Sequence, residues 1–366
     1  MAALLVEPDV TFIKDVIASG GGDVKKCMQC ATCSAVCALA PDDAPFPRRQ
    51  MLAAQWGLKE RLVADPAVWL CHNCGDCTTH CPRGARPGDV FGAIRSEAIK
   101  HYGAPAALAR AVANPKALGA LLLIPVLIFA AIALWAPKGA PAEAPEFANV
   151  FPIPVLEGLF FLVAGLAALA FAVGIARFIR ALREAGAQGP ILPNLAPALG
   201  EIMAHKRFNK CGGDRARSAG HLLTLWGFVG LAVMGTVAGI GTMTGLMRTP
   251  LPMASGWKIF ANVSALVILA GLAVLLAGRF TDKAKRAAST YFDWFFLLTL
   301  FGVVLTGMAS EAIRLGGWEE AMYAVYFIHL VLIFSLFMYA PYSKFAHLAY
   351  RTVAIAATRG GKRNSS

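Results

Sequence analysis

Six long apolar runs constrain this 366-residue chain more than any other feature of its sequence. Each run approaches or exceeds the roughly 20 residues that an α-helix needs to cross the hydrocarbon core of a bilayer. One such run is compatible with a buried helix of a large soluble protein. Six of them, in a chain with 57% hydrophobic residues, indicate a polytopic membrane protein. The runs cover about residues 117–136, 155–176, 220–243, 258–278, 292–310 and 322–341.

The charged residues lie between these runs and predict the orientation of the chain. Twenty lysines and arginines flank the runs on the side that carries both termini, whereas four lie in the opposite loops: Lys138, Arg248, Lys258 and Arg314. Basic loops stay on the cytoplasmic face of a membrane. We therefore expect a multi-pass protein of the cytoplasmic (inner) membrane with both termini in the cytoplasm. The net charge of +12 follows from this orientation, and no nucleic-acid partner is expected.

Eight of the nine cysteines precede residue 82 and form two copies of one motif. Both copies have the spacing C-x2-C-x2-C-x3-C, and the second continues into Pro82, as in bacterial ferredoxins. In that pattern three closely spaced thiolates bind one [4Fe–4S] cube, and the fourth binds the other cube. The predicted ligands are Cys27, Cys30, Cys33 and Cys81 for the first cluster, and Cys71, Cys74, Cys77 and Cys37 for the second.

Zinc is the alternative metal for such thiolates. Zinc sites usually take pairs of ligands from two separate loops, so a third cysteine three residues on favours clusters. Disulfides are not expected, because the N-terminal stretch lacks the apolar core of a cleavable signal peptide and disulfides are rare in a reducing cytosol. We interpret Cys211 as a plain thiol near the surface, and His72 and His80 as surface residues.

Three histidines of the membrane half have positions that suit a cofactor. His221 begins the third run, His329 lies within the sixth, and His347 lies just past its inner end. The 18 residues between the last two equal five helical turns, which predicts that both lie on one helix face. A bis-imidazole haem b needs two histidines at one depth on facing helices. The third run starts, and the sixth run ends, on the inner side of the membrane. His221 and His347 therefore lie at the same depth and are the predicted axial ligands.

Two further histidines are candidates for a second haem or a quinone site. His329 has no evident histidine partner at its own depth, and a hydrogen-bonded structural role is equally open. His205 lies on the inner side, where it would ligate or gate the inner haem. The long segment around it, from Arg177 to Gly220, predicts a short amphipathic helix at the membrane surface.

Residues of about 24–100, including the "WLC" and "CPRG" sequences around Cys71 and Cys81, resemble the small iron–sulfur subunit of heterodisulfide reductases. Residues of about 150–350 resemble the gamma subunit of respiratory nitrate reductase and the cytochrome b subunit of heterodisulfide reductase. The 18-residue histidine spacing matches that family, which carries two haems. A second family histidine is expected ten residues after His221, but Leu231 stands there.

The order of the two parts resembles the membrane subunit of quinone-interacting membrane-bound oxidoreductase complexes of sulfur-metabolising prokaryotes, in which the same two parts are fused. The resemblance implies an electron-transfer protein that uses two [4Fe–4S] clusters, haem b and menaquinone from the quinone pool. The implied partners are cytoplasmic flavin/iron–sulfur subunits of heterodisulfide reductase type, which serve adenylylsulfate reductase. Alternatives are a related protein with a heterodisulfide or sulfite-reduction acceptor, a haem-free membrane anchor, a redox sensor, and a transporter, although the runs lack the central charges of transporters.

The predicted fold class is mostly α. It comprises an N-terminal α-helical ferredoxin-type domain with two clusters, followed by a six-helix transmembrane cytochrome-b-like bundle. The predicted boundaries are 1–105 for the cytoplasmic cluster domain, 106–116 for a linker, 117–346 for the membrane domain and 347–366 for a basic cytoplasmic tail.

Overall fold

The computed structural model describes residues 7–136, 146–211, 214–282 and 288–360. Every regular element in this part of the chain is helical, and no strand occurs there. The predicted all-helical class is therefore confirmed. Lys138 and residues 361–366 of the predicted tail lie outside the described residues.

Short helices build the cluster domain and leave the cysteine motifs in loops. The apolar spacing over 47–62 predicts one helix, but the chain breaks it at Gly57, which has a φ of 66°. The last helix of the cluster domain begins with Pro87. Proline has no backbone N–H, but at the first position of a helix an N–H would have no intrahelical partner, so its absence costs nothing. The helices are α1 (Val10–Val16), α2 (Thr32–Ala35), α3 (Arg48–Gln55), α4 (Lys59–Val63), α5 (Ala67–Leu70), α6 (Asp76–Thr79) and α7 (Pro87–Tyr102).

All six apolar runs form helices that are long and apolar enough to cross a membrane. The helix α8 (Ala106–Ala113) leads into the first of them. The predicted amphipathic helix is present as α11 (Ile191–Met203). The membrane helices are α9 (Leu118–Trp135), α10 (Ile153–Glu184), α12 (Arg215–Met243), α13 (Gly256–Thr281), α14 (Tyr291–Leu315) and α15 (Glu319–Tyr339).

Glycines bring α12 and α13 into close contact. A Cβ atom on Gly227 would lie 2.6 Å from the backbone nitrogen of Ile268, and one on Gly271 would lie 2.6 Å from the carbonyl oxygen of Gly220. Small residues at such crossings let helix backbones approach, which is how helices associate where lipid removes the hydrophobic driving force.

The second membrane helix also belongs to the cluster domain. With 32 residues, α10 is about 48 Å long, well beyond the roughly 30 Å of a bilayer core. Its last turns carry Phe178 and Leu182, which are fully buried in one core with Trp69 of α5. Arg177 donates to the carbonyl of Tyr102 over 3.3 Å. We call this end of the bundle the cluster side.

The sixth membrane helix ends sooner than the histidine spacing predicts. It stops at Tyr339, and two 3-10 turns flank an extended residue, Ser343. Pro341 cannot continue an α-helix because it lacks an N–H group. His347 then begins a separate helix, α16 (His347–Thr358). The prediction that His329 and His347 share one continuous helix face is therefore wrong.

The described part of the segment 347–366 is a packed helix. Tyr350 of α16 stacks on Trp69, with ring centres 5.0 Å apart and an interplanar angle of 16°. The side-chain amide of Asn194 on α11 donates to the carbonyl of Ala356 over 3.1 Å. The end of the described chain is thus tied into the core of the cluster domain.

The glycine contact predicts a local stability effect in α12. We expect Gly227→Ala to lower the stability of the bundle by about 1–3 kcal/mol, because the new methyl group meets the Ile268 backbone. Gly235→Ala is the control, since a Cβ there has nothing within 4 Å. Thermal unfolding in detergent measures both. Equal unfolding midpoints for the two variants would contradict the close crossing.

Candidate metal centres

The two cysteine loops adopt the same backbone conformation. In each loop, the residue before and the residue after the second cysteine have a positive φ: 60° at Gln29 and 69° at Ala31, then 51° at Asn73 and 97° at Gly75. Positive φ is uncommon for residues other than glycine and is concentrated at functional sites. The alternation turns backbone N–H groups inward, as in the concave nests that bind anions. The Asn73 N–H lies 3.3 Å from Cys71 Sγ.

The first four predicted ligands lie around one small cavity. Its lining includes all four predicted cysteines together with Arg48 and Arg83: Cys27, Cys30, Cys33 and Cys81. The side-chain amide of Gln29 donates to Cys27 Sγ over 3.4 Å. Burial raises the pKa of Cys33 to about 11, with further contributions from the neighbouring Cys27 and Cys30.

The second set brings Cys37 to the other motif. Burial raises the pKa of Cys37, and Cys71 and Cys74 act on it through space. Burial and the same two neighbours raise the pKa of Cys77 to about 12. Thiols that raise one another's pKa become thiolates together only beside a strong positive charge, which cluster iron supplies.

No three His, Cys, Asp or Glu side chains in the described ranges are close enough to share a single metal ion. A [4Fe–4S] cube does not require such closeness, because each thiolate binds its own iron. The donor set, which is thiolate only, suits iron–sulfur clusters.

The ninth cysteine lies beside the second motif. Cys211 lies in the connection between α11 and α12, and its thiol is the main reason that the pKa of Cys74 is lowered to about 7. Cys211 and Cys71 also pack against the same hydrophobic core. Cys211 is a free and only partly buried thiol, which agrees with its interpretation as a thiol near the surface, but the sequence did not predict its position beside Cys74.

Three arginines hold the second cysteine loop against the membrane half. Arg217 of α12 donates to the carbonyl of Asn73 over 2.6 Å and to that of His72 over 3.3 Å. Arg351 of α16 donates to the carbonyl of Cys71 over 2.9 Å. Arg95 of α7 donates to the same carbonyl over 2.6 Å. Guanidinium groups only donate, so these carbonyls are their natural partners when buried.

A cavity on the cluster side brings the predicted haem ligands together. His221 and His347 line it, with ring centres 6.2 Å apart and ring planes at 74°. Two imidazole nitrogens on opposite sides of one iron, each about 2 Å from it, place the ring centres about 6 Å apart. The separation therefore suits one metal atom between the rings.

Hydrogen bonds orient both rings. His347 Nδ1 lies 2.5 Å from the carbonyl oxygen of Lys344, so Nδ1 carries the hydrogen. His221 Nδ1 lies 2.8 Å from His205 Nε2. Metal-binding histidines are usually held in this way through the nitrogen that does not bind the metal. Burial lowers the pKa of His347 to about 3, with Arg351 as the next cause, so the ring is neutral and able to ligate.

The wall of the cavity fits a large apolar cofactor with anionic groups. Apolar side chains from α12, α13 and α14 form one part of it, and basic side chains lie near the cluster loop. Two other basic residues of this region differ in their surroundings: Lys344 forms an ion pair with Asp293, and Arg215 is exposed to solvent. The apolar lining from these helices includes Leu225, Phe228, Leu272, Leu275, Leu297 and Leu300.

His205 and His329 do not form one site. His205 belongs to the cavity beside His221. His329 packs against α14, where its Nδ1 lies 3.0 Å from the carbonyl oxygen of Val303 and 3.2 Å from Thr306 Oγ1. Its ring centre lies 6.2 Å from that of Tyr326.

Sequence reasoning missed His72, which it assigned to the surface. The side chain is partly buried, lines the cavity together with His221 and His347, and accepts a hydrogen bond at Nδ1 from Arg351 over 3.0 Å. Burial lowers its pKa, and Arg351 is the next cause. The only sequence signal for a functional role was its position between Cys71 and Cys74. No local pattern in the sequence predicts its contact with Arg351, which lies 279 residues away.

Known proteins match the chain in two parts. A family profile described as a 4Fe-4S dicluster domain matches residues 23–85. A second profile, described as citrate utilization protein B, matches residues 106–366. This second match covers most of the chain. The chain belongs to the citrate utilization protein B family.

The family assignment agrees with one long match to a curated protein. Citrate utilization protein B of Escherichia coli is 28% identical over 310 residues, which cover 78% of this chain and 79% of that protein. The match therefore joins the cluster domain to the membrane helices. No solved structure matches the chain.

Components of heterodisulfide reductases are also similar. One, from the H(2):CoB-CoM heterodisulfide,ferredoxin reductase of Methanothermobacter thermautotrophicus, is 37% identical over 93 residues, 25% of this chain and 50% of that protein. Another, from the dihydromethanophenazine:CoB--CoM heterodisulfide reductase of Methanosarcina acetivorans, is 30% identical over 121 residues, 31% of this chain and 46% of that protein. The chain spans about half the length of these relatives. It is a multi-pass membrane protein with a 4Fe-4S dicluster domain.

The arginine contacts predict a loss of stability when Arg217 is replaced. We expect Arg217→Gln to destabilise the folded protein by about 2 kcal/mol, because two hydrogen bonds from a charged donor to the cysteine loop are lost. The control is Arg215→Gln, an exposed arginine of the same helical turn. Thermal unfolding of the metal-loaded protein measures both. Similar midpoints would show that Arg217 does not hold the loop.

Proposed function

We propose that this chain relays electrons between menaquinol and soluble partner proteins through one haem b and two [4Fe–4S] clusters. The proposed partners are cytoplasmic flavin/iron–sulfur subunits of heterodisulfide reductase type. In the most specific form of the proposal, the chain is the membrane component of a quinone-interacting membrane-bound oxidoreductase complex that serves adenylylsulfate reductase in dissimilatory sulfur metabolism.

One observation carries the proposal: His221 and His347 face each other across 6.2 Å in a cavity beside the second cysteine loop. A one-electron carrier held there lies between the lipid-facing helices and the proposed clusters. On both rings Nδ1 is hydrogen-bonded to a neighbouring residue, so Nε2 is the nitrogen left to bind iron.

The proposed ligand sets follow the crossed ferredoxin pattern. The cavity shared by Cys33 and Cys81 supports the first set, and the approach of Cys37 to Cys71 supports the second. We also propose that both termini and the cluster domain face the cytoplasm. The proposed domain boundaries follow residues 105, 116 and 346. Helix α16, although beyond residue 346, is then part of the cluster-domain core.

The residues of this chain bind and position the carriers. When bound, the haem and the clusters supply the one-electron carriers. In the proposal, His221 and His347 bind iron, while His205 and the Lys344 carbonyl fix their rings. Oxidation of one menaquinol releases two electrons and two protons. The electrons leave one at a time through the cavity and the cysteine loops, and the protons leave to water.

A second candidate follows from the long match to citrate utilization protein B. The same relay would then serve a partner used in citrate utilisation, a role suggested by the name of that relative. Both candidates share the carriers and differ in the soluble partner. The proteins that copurify with the native complex distinguish them: flavin/iron–sulfur subunits and adenylylsulfate reductase favour sulfur metabolism.

The crossed ligand sets predict how cysteine substitutions combine. We expect about eight irons per wild-type chain and about four in Cys81→Ala. The double variant Cys27→Ala/Cys81→Ala should keep about four, because both changes affect one cluster. Cys71→Ala/Cys81→Ala should lose nearly all iron. Iron and acid-labile sulfide analysis of anaerobically purified protein measures these contents.

The matched control for this series is Cys211→Ala, which we expect to keep about eight irons because Cys211 is not among the proposed ligands. Loss of both clusters in Cys27→Ala/Cys81→Ala would contradict the crossed pattern. Zinc without acid-labile sulfide in the wild-type protein would contradict clusters altogether.

The haem assignment predicts a selective loss of the b-type spectrum. We expect one haem per wild-type chain, and we expect His221→Ala and His347→Ala each to abolish the α band in a reduced-minus-oxidised spectrum. His329→Ala should retain it, because that ring packs against α14 elsewhere in the bundle. Halving of the band in His329→Ala would indicate a second haem. A wild-type protein without the band would favour a haem-free anchor or sensor.

A further inference from the structure

The cavity wall carries buried polar nitrogens that lack hydrogen-bond partners. Among the described residues that line it, four such atoms occur: Trp69 Nε1, His72 Nε2, His205 Nδ1 and Arg351 Nε. Buried polar groups in native proteins are nearly always paired, so each such group requires an explanation. All four belong to residues near the second cysteine loop or beside His221.

The protonation of His72 follows from its neighbour. Arg351 lies 3.0 Å from His72 Nδ1, and a guanidinium group can only donate. Nδ1 therefore accepts, and in the neutral ring the hydrogen sits on Nε2. Arg351 Nε is a donor for the same reason. These two donors come from one hydrogen-bonded pair that joins the cluster domain to α16.

The acidic side chains of the lining already have partners. Asp89 pairs with Arg86 over 2.9 Å, Glu201 pairs with Arg207, and Asp293 pairs with Lys344. Arg217 and Arg351 bring positive charge to the same wall, and their side-chain hydrogen bonds to the second cysteine loop go to neutral carbonyls and to the neutral His72 ring. The wall therefore needs an anionic acceptor that the described side chains do not supply.

We propose that His72 Nε2, a buried donor without a partner in the cavity wall, binds a carboxylate, namely a propionate of the haem held between His221 and His347. This inference rests on the proposed function. Carboxylates accept charge-assisted hydrogen bonds from guanidinium groups and ordinary ones from imidazole.

The consequence is an order for the relay. His72 stands between Cys71 and Cys74, so a residue of the second cysteine loop would join the haem to the second cluster. When both are bound, this contact would let one electron pass between them, with no bond formed or broken. The first cluster follows, and Cys30 of its loop is exposed, as a contact with a soluble partner requires.

The test compares His72→Phe with His80→Phe. Both variants remove an imidazole next to a cluster cysteine, but His80 is exposed and hydrogen-bonded to the Asp76 carbonyl. We expect His72→Phe to keep its haem and both clusters. At a fixed ambient potential its ratio of ferrous to ferric haem should be about fivefold lower, because a propionate without this donor concentrates negative charge near the iron. His80→Phe should match the wild type.

Two further arms identify the bound group. In protein reloaded with haem dimethyl ester, which has no free carboxylate, His72→Phe and the wild type should give the same ratio. Added citrate should not change the wild-type ratio. A persistent fivefold difference with the ester, or a ratio that depends on citrate, overturns the propionate assignment.

A second variant keeps the test decisive if the phenylalanine variant does not fold. His72→Gln retains an N–H donor, and we expect its ratio to stay within about twofold of the wild type. A wild-type ratio of ferrous to ferric haem in His72→Phe overturns the role of His72. A ratio in His80→Phe as low as that in His72→Phe overturns it as well. Failure of the proposed function looks different, because the wild-type protein would then lack the b-type band.

Discussion

The hydrogen bonds from Arg217, Arg351 and Arg95 to the second cysteine loop are the contact on which both candidate centres depend. Arg217 belongs to a membrane helix, whereas Arg95 and Arg351 belong to helices that pack in the cluster-domain core, so the loop backbone is held from both sides. Arg351 also lies one turn from His347, at the start of the same helix. A displacement of the cysteine loop would therefore move the wall of the haem cavity.

Such a concentration of guanidinium groups is costly without anions. Burial lowers the pKa of Arg351 to about 9, and Arg95 is the next cause. Buried cations are tolerated when opposite charge lies close by. A cluster bound by thiolates and a haem with free propionates are both anionic, and they would lie on either side of this arginine group. We therefore expect the junction between the two halves to be most stable when the metal centres are loaded.

The sequence predicts the parts of this molecule that repeat locally. Apolar runs of membrane length and cysteines at fixed spacing need no knowledge of distant contacts, and the six helices are confirmed. His72 contacts Arg351 across 279 residues, and no local pattern reports such a pair. The helix break after Tyr339 is a different case: Pro341 was visible, but the 18-residue histidine spacing suggested a continuous helix.

The hydrogen bond of His329 argues for a role other than a second haem within the proposed relay. A carbonyl oxygen only accepts, so the contact with Val303 places the hydrogen on Nδ1 and leaves Nε2 as an acceptor. Haem ligation would require a facing imidazole, and Leu231 stands at the position where the sequence resemblance predicts one. An acceptor nitrogen in an apolar helix suits the hydroxyl group of a quinol, which must lose its protons as it gives up electrons. In the proposed relay, a ring fixed through Nδ1 would therefore bind iron at His347 and a quinol at His329.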